Sequence, residues 1–421
     1  MLKKFKAFLN KENFDSSNGF VDPYKYHFTC YYILKYFQVV DNEPIPKWTY
    51  FFLTFMAICV IIALGLLSLT VYHGIDTNDL QIITEGGCYF IVIFYEMLML
   101  LCTIINLQQY HVLLRTLRAD FKYVCSEGVK YRDRFFENQL NTWKFSIFSV
   151  IFTSSIGGGV ALFTSLCLLW HVATHEPGDG SKRPLFFPFW YFETDFSASP
   201  LYEISFIYSN FCALAYAYSY IFMLQTQVLW IGEIMAKADL IIWYIQDLME
   251  GLDLPKSQQE ADRLISVIKS RMREIVREHH SMYKLLQSYT TVYKKLLMFE
   301  QKLSGPVICL TAYCTAEQLK VGEVNGILML LCGGAIIQVF IPTYLCTILG
   351  IKVRSIGDAC LDIPFWNIGR VIRPYMVLIM QKSLRPLQLS APGFEEVSVQ
   401  TFSKTMASAY SFFNMLRQTD L

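Results

Sequence analysis

The chain alternates long apolar runs with stretches crowded with charge, and the period of that alternation is the thickness of a bilayer. Five runs, Trp48 to Val71, Thr84 to Ile105, Phe145 to Val172, Ile204 to Ile231 and Val324 to Leu349, exceed the roughly 18 apolar residues that carry a helix across a membrane core. Two further segments are weaker. Ser304 to Lys320 is short and has Glu317 near its end, and Glu396 to Gln418 is amphipathic and contains Lys404 and Arg417. No fixed-period repeat or low-complexity segment breaks this order. The pattern predicts an all-α membrane protein, a bundle of about seven transmembrane helices.

Lys and Arg settle the orientation, because cytoplasmic flanks hold them in excess. They crowd the segment before the first run (Lys3 to Lys47), the segment between runs two and three (Arg115 to Lys144), the stretch Lys237 to Lys302, and the stretch Lys352 to Arg385. The other loops hold only Lys182, Arg183 and Lys320. With both Lys237 to Lys302 and Lys352 to Arg385 inside, an even number of crossings separates them, so the weak Ser304 segment must cross. The N-terminus is then intracellular. A crossing by the last segment puts the C-terminus outside.

The expected organisation is a cytoplasmic segment 1–47, spans one to four over 48–234 with an extracellular loop at 173–202, and cytoplasmic anchor helices over 235–303. Spans five and six follow over 304–349, then a cytoplasmic anchor helix over 350–395 and a last span over 396–421. Within 1–47, the aromatic stretch Tyr24 to Val40 either lies on the membrane face or packs under the bundle. The loop 173–202 joins a flexible His-Glu-Pro-Gly-Asp-Gly opening to an apolar half, Pro-Leu-Phe-Phe-Pro-Phe-Trp-Tyr-Phe. It reads either as a lid over an extracellular cavity or as an interfacial aromatic belt. In the anchor region, Leu264, Ile268, Met272, Val276, Met282, Leu285 and Leu286 recur at helical spacing.

Composition agrees: 54% of the residues are hydrophobic, 17% are charged, and mean hydropathy is +0.34, too apolar for an ordinary soluble chain. Residues 1–47 lack the uninterrupted apolar core of a cleavable signal peptide, so the first span is its own insertion signal. The twelve cysteines lie almost entirely in spans and cytoplasmic stretches, which predicts no extracellular disulfide framework. A net charge of +1 excludes nothing.

No constellation for catalysis is present, and no enzyme activity, cofactor, metal site or nucleic-acid partner is expected. Gly157-Gly158-Gly159 lies inside a span and fits close helix packing rather than phosphate binding. His171 and His175, four apart at the outer end of span three, could bind a metal if that end stays helical but read as a surface pair, and His279 and His280 read as solvated. Glu96, in mid-span, implies a cavity, a partner or an interhelical hydrogen bond. Tyr89, Phe90, Phe94, Ser154, Phe163, Tyr208, Phe211, Tyr216 and Tyr313 put aromatics and a few hydroxyls on spans two to five. They form either ordinary bundle core or an apolar pocket suited to a small volatile or lipophilic ligand.

In the last segment Ser398, Thr401, Thr405, Ser408, Ser411 and Gln418 recur every three or four residues and form one small, polar helical face. Such a face serves tight helix packing, or lines a water-filled path when several copies surround an axis.

Seven spans, an internal N-terminus, the run Arg373-Pro374-Tyr375 through Lys382-Ser383-Leu384-Arg385-Pro386-Leu387 and the closing Ser408 to Gln418 segment together resemble the insect odorant receptors. That resemblance implies a ligand-gated, non-selective cation channel in the plasma membrane of a sensory dendrite. It implies a hetero-tetramer with an odorant co-receptor subunit, whose extra length between spans four and five this chain lacks. The partners so implied are that subunit, a volatile ligand, membrane lipid and permeating cations. Carried over, Met415 falls at the hydrophobic gate and Gln418 at the polar ring beside it, with Ser408 and Ser411 on the same stripe. The pocket falls in the outer half of the bundle between spans two and six, with Tyr89, Phe90, Phe94, Ser154, Phe163, Tyr208, Phe211 and Tyr313 as candidates. A gustatory receptor channel, a G-protein-coupled receptor and a transporter are the alternatives. The chain lacks the Thr-Tyr-hydrophobic-Gln-Phe ending of the first and the Asp-Arg-Tyr and Asn-Pro-x-x-Tyr motifs of the second.

Overall fold

The computed structural model describes residues 19–40, 47–174, 183–192, 194, 196, 198–252, 257–320, 322, 325–363, 365–385 and 396–419. His175 lies outside them. The described residues form helices α1 Pro23–Tyr26, α2 Phe28–Tyr36, α3 Lys47–Thr77, α4 Leu80–Ile105, α5 Leu107–Ser126, α6 Val129–Thr174, α7 Leu201–Gln246, α8 Gln258–Lys320, α9 Gly326–Leu361, α10 Phe365–Ser383 and α11 Val399–Thr419. Two ends are set by side chains that occupy orphan backbone donors. Asp79 accepts from the amides of Gln81 and Ile82 at the head of α4, and Asn325 accepts from Ile327 and Leu328 at the head of α9.

By length and composition, α3, α4, α6 and α9 are apolar enough to cross a membrane. Their outward faces carry exposed residues such as Ile61, Ile62, Ile151 and Leu169, as lipid contact requires. The crossing read at Ile204 to Ile231 is a helix but falls outside that group, because Tyr216, Tyr218, Tyr220, Gln225 and Gln227 dilute it. Its inner half is enclosed on every side instead: Phe222 through Ile234 are all buried. A helix walled by protein has no need of lipid-facing hydropathy.

In α7 and α8 no break separates span from anchor. The helix α8 runs 63 residues from the anchor region through the fifth crossing with Pro306 inside it, and α7 runs 46 residues into the cytoplasmic layer. The boundaries expected near 234 and 303 therefore fall inside continuous helices. Around these two helices the bundle closes, with α6 and α9 on α7, and with α4, α9 and α11 on α8.

The larger apolar core lies at the cytoplasmic end. There Trp230 packs against Tyr110, Tyr289 and Tyr293 at ring distances of 5.6, 6.1 and 5.8 Å. Tyr26, Cys30, Leu34 and Phe37 of the N-terminal segment enter this core, so that segment packs under the bundle. The anchor register also differs by one position from the reading above: Ile275 is buried while Val276 is 37% exposed. Next to this core, His27 pairs with Gln139 (2.9 Å), Gln139 donates to Glu233 (2.6 Å), and Lys237 contacts Asp120 (2.6 Å) and Glu278 (3.6 Å).

His279, expected in solvent, is buried. It lies 3.2 Å from Ser383 Oγ and edge-on to Tyr283, where α10 docks on α8, while His280 beside it is exposed. The buried stripe of α8 continues through position 279, and α10 covers it.

Candidate functional site

Five helices, α4, α6, α7, α8 and α9, enclose a cavity of about 130 Å³. A single water needs only about 10–15 Å³ on the same measure, so the space fits a small organic molecule. Its wall is mainly apolar, with Ile93, Val160, Val307 and Leu331 among its residues. Small residues make room for it: Gly157 and Ala217 where α6 meets α7, and Gly334 and Ala335 on α9.

The roof comes from the loop before α7. Phe186 and Phe187 are buried, line the cavity and pack on Tyr89 at 5.4 and 5.1 Å. Arg183 lies over Tyr202, whose hydroxyl donates to the Pro184 carbonyl at 2.8 Å, which ties this loop to α7. The cavity continues inward from the roof to Tyr220, Glu300 and Gln338. Polar atoms there are largely paired. Tyr216 donates to Gln338 Oε1 (2.7 Å), Tyr220 to the Gln338 carbonyl (3.1 Å), and Tyr95 to Met223 Sδ (3.3 Å).

Of the pocket residues picked from the sequence, Tyr89 lies on the wall, and so does Tyr216. The others surround the cavity without lining it. Tyr313 is buried in the outer core with Tyr89, and Phe90 stacks on Phe94 at 6.2 Å. Ser154 is exposed on the outer face of α6, leaving Thr153 and Gly157 on the wall. Phe163 covers Gly326, Tyr208 donates to the Cys59 carbonyl at 2.6 Å, and Phe211 packs on Phe55 at 5.2 Å. Glu96 is fully buried away from the wall, with neither carboxyl oxygen hydrogen-bonded.

Glu300 and Gln338 escaped the sequence reading, whereas Phe186 and Phe187 belong to the apolar half of the loop read there as a lid or an aromatic belt. For Glu300 a signal existed: Tyr289, Tyr293, Leu296, Glu300 and Val307 fall on one buried stripe of α8. The flanking Lys294, Lys295 and Lys302 hid it by making the segment look solvated.

The last helix packs on α8 and α9 through Met406, Ala409, Phe413 and Leu416. Ser408, Ser411, Met415 and Gln418 are all exposed, Met415 at 52%. Partly buried Thr401 and Thr405 lie on the flank of the polar stripe, and the Thr405 hydroxyl donates to the Thr401 carbonyl. Phe340 of α9 meets Phe402 of α11 at 5.4 Å, and Thr347 accepts from the Val399 amide at 3.0 Å. Among the described residues, no group of three or more His, Cys, Asp or Glu side chains is placed to hold a metal ion.

A family profile described as 7tm odorant receptor matches residues 80–410. Odorant receptor 67c of Drosophila melanogaster is 25% identical over 145 residues, 34% of this chain and 35% of that one. Odorant receptor 49a of the same organism is 23% identical over 193 residues, 45% of this chain and 46% of that one. The matches thus span less than half the length of these curated relatives. Among solved structures, the insect olfactory receptor OR5 from Machilis hrabei in complex with eugenol is similar with a TM-score of 0.71. It is 15% identical, and the match covers 94% of this chain and 98% of that one. A second structure of that receptor gives 0.66 at 14% identity, covering 94% and 99%. At such identities the likeness is one of fold, a seven-helix membrane bundle.

Proposed function

The chain belongs to the 7tm odorant receptor family, and from that membership we propose that it is the odorant-tuning subunit of a ligand-gated, non-selective cation channel. A small volatile or lipophilic ligand enters the cavity under Phe186 and Phe187. The similar receptor of Machilis hrabei has been solved in complex with eugenol, which supports a small organic ligand here. Tyr89 contacts the ligand directly, and Phe90, Phe94, Ser154, Phe163, Tyr208, Phe211 and Tyr313 shape or support the surrounding bundle.

The observation that carries this reading is the double use of α9. Leu331, Gly334, Ala335 and Gln338 face the cavity, while Phe340 and Thr347 of the same helix hold α11. A ligand that fits one position of α9 better than another therefore biases α11 as well. Four such helices, from this chain and an odorant co-receptor in a hetero-tetramer, surround the axis. Ser408 and Ser411 line it, Met415 closes it as a hydrophobic constriction, and Gln418 forms the adjacent polar ring. The site of action is the plasma membrane of a sensory dendrite.

Whole-cell recording from cells expressing this chain with a co-receptor tests the reading. Odorant-evoked cation current that requires both subunits is the expected result. Silence across a broad odorant panel, with both subunits at the surface, overturns it.

A further inference from the structure

Glu300 lines the inner end of the cavity, is 3% exposed, and has an Oε1 that makes no hydrogen bond. Tyr216 and Tyr220 give their hydroxyl protons to Gln338, while the Tyr95 hydroxyl, which also meets Met223 Sδ at 3.3 Å, and the Gln338 side-chain amide are within reach of the carboxyl, leaving Oε1 as its unpaired oxygen. Among the described residues, no Lys, Arg or His lines the cavity. The described wall thus holds one carboxyl with an unpaired oxygen and no basic group beside it. Burying such a group is unfavourable until something supplies the missing partner.

We propose that the cavity is built for small lipophilic amines, with the amino nitrogen seated on the Glu300 carboxyl and the hydrocarbon body against Ile93, Val160 and Leu331. This rests on the odorant-receptor reading above. An amine and a carboxyl acid share one proton between them. The amine enters as the free base and either accepts the carboxyl O–H or takes its proton to give an ammonium–carboxylate pair. Either way the sum of charge stays zero, so no uncompensated charge is buried. An alcohol, an aldehyde or an ester makes only a neutral hydrogen bond at the same place, about half as strong as a charge-assisted one. A carboxylic acid ligand sets like groups against each other.

The test compares three ligands of one size, benzylamine, benzyl alcohol and benzaldehyde. Their binding to the purified full-length complex is read by thermal shift, and currents are recorded in parallel. Benzylamine is expected to bind about ten- to a hundredfold more tightly than the other two, the difference between a charge-assisted and a neutral hydrogen bond. In Glu300→Gln, which keeps the shape and removes the acid, that advantage is expected to vanish, benzylamine falling to the affinity of benzyl alcohol for the same variant. Benzylamine binding no better than benzyl alcohol to the wild-type complex overturns the proposal, whether or not the variant assembles. So does an amine advantage that survives Glu300→Gln. The two readings fail separately: amine-selective binding without evoked current removes the channel function and leaves the site, and evoked current without amine selectivity does the reverse.

Discussion

A methyl group on Gly157 would stand 2.6 Å from the Cβ of Ala217, closer than real Cβ atoms come, whereas one on the next residue, Gly158, would meet nothing within 4 Å. Gly157 and Ala217 both line the cavity, so the contact that brings α6 onto α7 also sets the cavity's width. Gly157→Ala therefore has to push the two helices apart. Overpacking of this kind costs about 1–3 kcal/mol, against which the better helix propensity of Ala returns up to about 1. Gly158→Ala collects only the return. In thermal melts of the purified chain, Gly157→Ala is expected to fall below wild type and Gly158→Ala to match or exceed it. Equal melting of the two variants would refute this account of the α6–α7 seam.

The exposed stripe Ser408, Ser411, Met415 and Gln418 gives the proposed pore a direct test. A ring of methionines excludes water while the channel is closed. Met415→Ala should widen that constriction and raise the basal current recorded without odorant, and, because binding and opening are coupled, the odorant concentration for half-maximal response should fall rather than rise. Met415 is exposed and does not line the cavity, so the variant removes no ligand contact. Unchanged basal current in a variant that reaches the surface would move the gate elsewhere.

These tests rest on features that differ in how legible they were. The membrane-facing runs are plain in the sequence because lipid rewards continuous hydropathy, and the fifth crossing follows from charge balance even though Glu317 and Pro306 weaken its run. The polar stripe of α11 was readable because its period is a local property. The cavity wall was not. Whether Tyr89 or Phe90 faces inward depends on the rotation of α4 against four other helices, and residues one position apart, such as Thr153 and Ser154, exchange wall for exterior. Glu96 stood out because an acid in mid-span is rare, yet it is Glu300, screened by neighbouring lysines, that faces the cavity.

Lys237 and Asp120, 2.6 Å apart, show how the cytoplasmic layer is held. Burial opposes the Lys237 charge, but Asp120, Glu233 and Glu278 outweigh it and hold its pKa above the ordinary lysine value. Replacing Lys237 with Met leaves those acids facing one another without a cation. Removing one partner of a buried pair costs about 3–5 kcal/mol, more than removing both. Lys237→Met is expected to lower the melting temperature and the yield of assembled complex, and Lys237→Met with Asp120→Leu to recover part of the loss. A double variant as unstable as the sum of the single ones would show that the pair is not coupled.

His279 makes the docking of α10 sensitive to acid. Burial, and then the charges of Lys382 and His280, lower its pKa to about 4, against about 6.5 for a free histidine. Between those values the unfolded or undocked chain binds a proton that the docked form refuses, so stability is constant above about pH 6.5 and declines as the pH falls towards 4. Partial solvent access discounts the effect, which should reach about 1–2 kcal/mol by pH 5. His279 meets Ser383 across the seam, 3.2 Å away, and on its own helix Tyr283, whose hydroxyl donates across the seam to the Lys382 carbonyl at 3.0 Å under the Lys382 ammonium. Protonation adds a cation beside that ammonium and beside His280, so α10 should loosen before the bundle melts. Hydrogen exchange of amides in 365–383 is expected to quicken between pH 7 and pH 5 beyond the intrinsic trend, and His279→Gln, which keeps a donor and an acceptor but cannot titrate, should abolish the excess. Exchange that quickens equally in His279→Gln would assign the acid sensitivity to another group.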